Sequence, residues 1–263
     1  MAARVGTALV AMLPLLPAFA LFHRFSPDRV KASSAARRRS PLTILNQWLR
    51  PLAKVSAPLF GIASRLPGLA GQVVGDIALT LATSPSAILG LAIANFGGLF
   101  VPLNHSIGIL FFGTAFWGIL ASDISTRDFS ADMEGVTGVV PGGSQQRYLR
   151  QFLATMLLGM LFGATIFVRD LLHYPLHALI LLVGMFSLAA LASVFGRTAR
   201  TSRPFVALFM FWLYIALNAT KEANVDVVGF NGVANAHSMM VHLTLGVVAL
   251  VAGYGYNRWR SEE

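Results

Sequence analysis

The 263-residue sequence contains no cysteine. That absence excludes disulfides, thiolate metal sites and a cysteine nucleophile, and it leaves the redox compartment open. Charge is scarce as well: Asp, Glu, Lys and Arg make up 12% of the residues, against about 25% in soluble proteins. Nothing in the chain matches G-x-x-x-x-G-K-S/T, H-E-x-x-H or G-x-S-x-G. The commonest nucleotide-cradling loops, zinc proteases and membrane hydrolases are therefore missing. No charged residue sits deep in an apolar run, which argues against a proton- or sodium-coupled carrier, because such carriers place carboxylates inside the membrane.

What remains is largely apolar. Hydrophobic residues are 56% of the chain and the mean hydropathy is +0.67. Apolar runs fall at 5–22, 87–103, 107–121, 152–168, 178–195, 204–217 and 241–256. Each is shorter than the roughly 20 residues a helix needs to cross hydrocarbon, so the runs must borrow flanking residues or tilt. The pattern predicts an all-α polytopic membrane protein of about seven spans, one N-terminal and six grouped downstream.

The longest polar stretch between two strongly apolar runs is 122–150, SDISTRDFSADMEGVTGVVPGGSQQRYLR. It carries Asp123, Asp128, Asp132 and Glu134, the arginines Arg127, Arg147 and Arg150, and the turn-forming Pro141-Gly142-Gly143. Such a segment cannot lie in hydrocarbon and belongs at a membrane face. If that face is cytoplasmic, alternation puts 23–86, 196–203 and the C-terminal tail there too. Of the 20 Lys and Arg residues, only Arg4, Arg169 and Lys221 then fall elsewhere. The excess of basic residues in cytoplasmic loops makes the N-terminus external and the C-terminus internal. The same clustering beside apolar segments explains the pI near 10.8 without a nucleic-acid partner.

Residues 1–22 read as a retained transmembrane helix, although Ala18-Phe19-Ala20 also resembles a signal cleavage site, and the Arg- and Ser-rich 23–40 a transit sequence. The basic linker 23–71 is half apolar in its later part and interrupted by Pro51, Pro58 and Pro67, as expected of short helices in the cytoplasmic interface with Trp48 at headgroup depth. A mobile linker is the alternative. Residues 71–83 predict a further amphipathic helix, and 218–240 form the longest external segment, polar and rich in Gly and Asn.

Among the six histidines, only His23 falls inside under this topology. His173 and His177 are spaced for a metal or haem on a helix, but Pro175 lies between them. Interfacial hydrogen bonding is the plainer reading for these and for His237 and His242. Arg169-Asp170 reads as a neighbouring charge pair, and Gly159 with Gly163 as a small-xxx-small packing motif.

Ser122-Asp123, Arg127-Asp128, then Pro141-Gly142 and a basic helix start at Arg147 resemble the permease subunits of type-2, exporter-like ABC transporters. Asp132-Met133 stands where that pattern has Gly-Thr. Residues 203–218 with Val225-Asp226 are similar to the fifth span of that family and the segment after it. The likeness covers 72–263, which reads as a six-helix permease-like domain; the preceding span and linker resemble the junction of a fused double permease. The resemblance implies a non-enzymatic subunit without a cofactor, partnered by an ATP-binding cassette ATPase, a second permease half and membrane lipid. It also implies that 122–150 is the coupling loop, with Asp123, Arg127, Asp128, Glu134, Pro141 and Gly142 contacting the ATPase. Two other classes stay open: a haem- or quinone-binding redox membrane protein using the external histidines, and an accessory subunit with no pathway.

The charge distribution has a direct test on this cysteine-free background. Single cysteines at Ser34, Ser130, Ser202 and Asn231 are probed in intact cells with an impermeant thiol reagent. Labelling is expected at position 231 and at none of the others; labelling at 130 without 231 refutes the orientation.

Overall fold

A computed structural model describes residues 41–102, 107–131 and 143–261. The chain divides into two compact units between Thr43 and Ile44, and the second, 44–263, holds the helical bundle. The expected first span, 5–22, and the loop residues Glu134, Pro141 and Gly142 lie outside the described residues.

The described residues are helical and contain no strand. Proline sets the early breaks, because it lacks an N–H and is tolerated only in a first helical turn or between helices. After α1 (Pro41–Trp48), Pro51 opens a 3₁₀ segment, Arg50–Ser56, and Pro58 opens α2 (Ala57–Arg65). Pro67 is extended and delivers the chain into α3 (Gly68–Thr83). The short pieces expected from the sequence are thus present, and Trp48 is exposed. Helix α3 buries Val73, Ile77, Thr80 and Leu81, one stripe at helical spacing.

At Ser84-Pro85 the chain turns by 103° into α4 (Ser86–Phe100). No local side chain caps α4; the Asn46 Oδ1 of α1 accepts the Ser86 N–H instead, at 2.9 Å. Fifteen residues make α4 only about 22 Å long, short of a hydrocarbon core of about 30 Å. Helices α5 (Ile107–Ile124), α9 (Pro175–Ala199) and α11 (Ala236–Ser261) are long and apolar enough to cross a membrane. Counting each bent pair as one raises the candidate spans to five, and α10 (Arg203–Asn218) is a shorter apolar helix. The described residues therefore supply three to five such helices where the hydropathy runs suggested six.

The run expected at 152–168 is not one straight helix. It breaks at Gly163 into α7 (Gly143–Phe162) and α8 (Ala164–His173), bent by 70°. A break strands backbone groups at both new ends. Asn95 of α4 takes them up: its amide donates to Leu161 O at 2.9 Å, and its carbonyl accepts from Thr165 N at 3.1 Å and Thr165 Oγ1 at 2.9 Å. The second amide proton goes to Leu91 O, so the side chain uses its whole hydrogen-bonding capacity. Arg169 returns the favour from α8. Its guanidinium donates to Gly98 O and, at 2.7 Å, to Val101 O, a cation on the carbonyls that end α4. Arg169 is thus a helix cap as well as a charged neighbour of Asp170.

Trp117 of α5 is fully buried at the centre, its indole N–H donating to Thr155 O of α7 at 2.9 Å. Gly159 makes room for it: a Cβ there would lie 2.9 Å from the indole, so this half of the small-residue motif serves helix packing. Outside, Phe96, Phe100, Leu172, Phe211 and Val251 are exposed, an apolar surface suited to lipid.

Asn95→Leu leaves the backbone groups at the Gly163 break without their partner. We expect a loss of roughly 2–3 kcal/mol in the stability of the detergent-solubilised protein. An unchanged thermal transition would mean that water reaches the break.

Candidate functional site

At the end of α5 the polar segment begins by satisfying its own backbone. Ser122 Oγ donates to Ile119 O and Thr126 Oγ1 to Ser122 O, closing the last turn. The chain then forms the single turn α6 (Arg127–Ser130). Gly196 of α9 lets the junction sit close: a Cβ there would fall 2.5 Å from Ser125 Cβ.

Successive residues of α6 are tied to three helices. Arg127 Nη2 donates to Thr80 Oγ1 of α3 at 2.9 Å, and that hydroxyl donates onward to Asp76 O. Asp128 Oδ2 pairs with Arg147 of α7 at 3.5 Å and accepts from Gln151 Nε2 at 3.2 Å. Phe129 lies beneath two cations from the end of α9, with Arg197 Cζ 5.1 Å and Arg200 Cζ 5.4 Å from its ring centre. Beside these contacts Arg150 Nε stands 2.8 Å from Asp76 Oδ2, joining α7 to α3. At that distance the two form an ion pair. Burial pulls the Arg127 guanidinium below its ordinary pKa, and the carboxylates of Asp76, Asp123 and Asp128 oppose that shift.

Next to this cluster opens a cleft of about 510 Å³. One wall is the end of α3, with Thr80, Thr83 and Ser84. A second is Asp123, Thr126, Arg127 and Ser130, and the third is the α9–α10 turn, Arg200 to Ser202. Arg200 ends α9 in the left-handed conformation at φ 54°, a position that glycine usually takes. Thr83 and Ser130 hydroxyls donate to carbonyls of their own turns, so they face the cleft as acceptors. Hydroxyls, a carboxylate and two guanidinium groups thus line it together with Leu120.

The structure separates the expected contact residues. Asp123 is exposed, whereas Arg127 and Asp128 are half-buried and engaged within the chain; the neighbouring Ser130 is exposed too. Glu134, Pro141 and Gly142 lie outside the described residues. Sequence reasoning missed Asp76 and Thr80. Asp76 was findable, as the only acid between Asp28 and Asp123 and a lone carboxylate in an otherwise uncharged helix.

At the other end, the 219–235 segment is more than a polar connection. Asp226 is fully buried, and its carboxylate accepts the N–H groups of Asn231, Val233 and Ala234. Phe230 is buried edge-on against Phe111. Gly184 lets this segment in, since a Cβ there would overlap the Val227 carbonyl. His173 and His237 are exposed, as expected of interfacial histidines, but His242 is buried with Nε2 2.9 Å from Asn224 O.

No family model, curated protein or solved structure matches this chain.

The Asp76–Arg150 pair separates bracing from mere proximity. Asp76→Leu and Arg150→Met each leave one partly buried charge unpaired, at an expected cost of roughly 1–3 kcal/mol. The double variant should recover most of that loss in thermal unfolding, because neither charge then remains. Additive losses would show that the two side chains act independently.

Proposed function

We propose that this chain is the membrane-spanning permease subunit of an ATP-driven transporter, resembling the type-2 exporters. In this reading it has seven spans, with the N-terminus outside and 122–150 on the cytoplasmic side. A partner ATPase docks there, and a second permease half completes the pathway. The chain itself catalyses nothing; ATP hydrolysis comes from the partner. An apolar interior suits a hydrophobic or amphipathic substrate.

The observation that carries this reading is the three-way tie of α6. A loop that only keeps its charges in water has no reason to send three consecutive side chains onto three different helices. Through Arg127, Asp128 and Phe129, a push on α6 reaches α3, α7 and the end of α9 together. A docking partner shifts a conformational equilibrium only by contacting the two states unequally, and it needs a stiff connection to the spans. The half-buried Arg127 and Asp128 supply that connection. Contact with the ATPase falls to the exposed Asp123 and Ser130, the cleft beside them, and Glu134, Pro141 and Gly142.

The reading predicts that a Walker-motif ATPase encoded beside this chain co-purifies with it from detergent. Asp123→Arg with Ser130→Arg should reduce that association about tenfold, the loss of one charge-assisted contact, while the chain still inserts and folds. Arg127→Asp with Asp128→Arg should instead lower thermal stability, because those charges brace the chain. If no ATPase co-purifies with the unaltered chain, the transporter reading fails.

A further inference from the structure

The open cleft beside α6 combines uneven charge with two kinds of hydroxyl. It lies where α5 and α9, both long and apolar enough to cross a membrane, come to an end. When those helices cross a bilayer, their ends stand at headgroup depth. Of the charges around the cleft, Asp76 is paired with Arg150 and Asp128 with Arg147. Within the lining itself, Arg127 and Arg200 stand against a single carboxylate, Asp123, which leaves one positive charge over. Arg200 and Asp123 are exposed, and the bond from Arg127 to Thr80 uses one of five guanidinium N–H donors.

The hydroxyls divide by what they have left to offer. Thr83 and Ser130 give their protons to carbonyls of their own turns, so a ligand meets only their lone pairs. Ser84, Thr201 and Ser202 differ. Their hydroxyls make no hydrogen bond among the described residues, and Ser202 does not cap α10 with its side chain. All three residues are partly exposed, so each hydroxyl can donate to a ligand. Donors, acceptors and an excess cation therefore line one space of about 510 Å³.

From this arrangement we infer a binding site for a singly charged phosphodiester that bears hydroxyl groups, the chemistry of a phosphatidylglycerol headgroup. Each part of that description has its own cause. One excess positive charge matches a monoanion, whereas a phosphate monoester, at about −1.5 to −2 near pH 7, brings more negative charge than the lining balances. Guanidinium groups and the donating hydroxyls suit phosphate oxygens. Asp123 and the lone pairs of Thr83 and Ser130 take up protons from the ligand's hydroxyls, which a bare phosphate lacks. A cavity of about 150 Å³ holds benzene, so the cleft has room for a phosphate and a three-carbon polyol, with Leu120 beside the carbons. The same group occurs in a lipid and free in water, and the helix ends around the cleft favour the lipid. The inference does not rest on the transporter reading, because only this chain contributes to the site.

The test uses the full chain in detergent without any ATPase, and native mass spectrometry measures the affinity for the first lipid bound. The probes share their acyl chains: phosphatidylglycerol, phosphatidylethanol (a monoanionic diester without hydroxyls) and zwitterionic phosphatidylcholine. Phosphatidylglycerol is expected to bind about tenfold more tightly than phosphatidylcholine, the effect of one charge-assisted bond, and about threefold more tightly than phosphatidylethanol. Arg200→Gly should bring phosphatidylglycerol within about threefold of phosphatidylcholine. That variant also suits the left-handed backbone at φ 54°, so its unfolding temperature should hold or rise. Should it fall, Arg200→Asn, also tolerated in that conformation, decides instead. Soluble glycerophosphoglycerol separates the sources: displacing the bound lipid shows that the diester alone suffices, and failing to displace it shows that the site takes the group from lipid. Equal binding of phosphatidylglycerol and either other lipid, or a preference that survives the Arg200 variants, overturns the inference.

Discussion

A helix that breaks inside an apolar bundle must find new partners for its stranded backbone groups without water, and the architecture around α4, α7 and α8 depends on that requirement. Asn95 meets it by bridging Leu161 O and Thr165 N across the Gly163 break, and Arg169 meets the matching need at the end of α4. The two contacts run in opposite directions between the same helices. Each helix therefore completes the other's ends: at the bend Asn95 stands between Leu161 O and Thr165 N, which a straight helix would pair directly, and Arg169 covers the carbonyls that end α4. Trp117 then fills the space where α5 meets α7, with its one polar atom also bonded to backbone.

At one end of the bundle the same economy governs charge. Asp76, Arg127, Asp128, Arg147 and Arg150 lie where partial burial makes an unpaired charge expensive, and cross-helix contacts join them. The consequence is mechanical as well as energetic, because the one-turn helix α6 becomes a junction among α3, α7 and α9. In the proposed transporter this junction relays the partner's movement, and the exposed Asp123 and Ser130 offer the surface that meets it. Rigidity and recognition thus fall to neighbouring residues of one short segment.

The other end is built differently. There the 219–235 segment folds inward around Asp226, whose carboxylate gathers three backbone N–H groups and holds Phe230 and Val227 against the helices. His242 belongs to this end, buried with Nε2 2.9 Å from Asn224 O. One end is a junction of paired charges beside a cleft, the other a segment folded around a single buried carboxylate.

Local pattern alone determined that the chain is helical and apolar enough for a membrane, that Pro51, Pro58 and Pro67 divide the early helices, and that a charged segment follows α5. These features depend on spacing and backbone chemistry within a few residues, which the sequence displays directly. Tertiary structure decided the rest. That Gly163 is a bend, among 24 glycines, follows from Asn95 lying 66 residues before Leu161 in the chain yet beside it in space. That Arg127 turns inward follows from Thr80, 47 residues away. His242 looks like any interfacial histidine until the 219–235 segment folds over it. Each of these side chains takes its role from a partner that no local periodicity brings near, so only packing tells a brace from a contact surface or a buried ring from a solvated one.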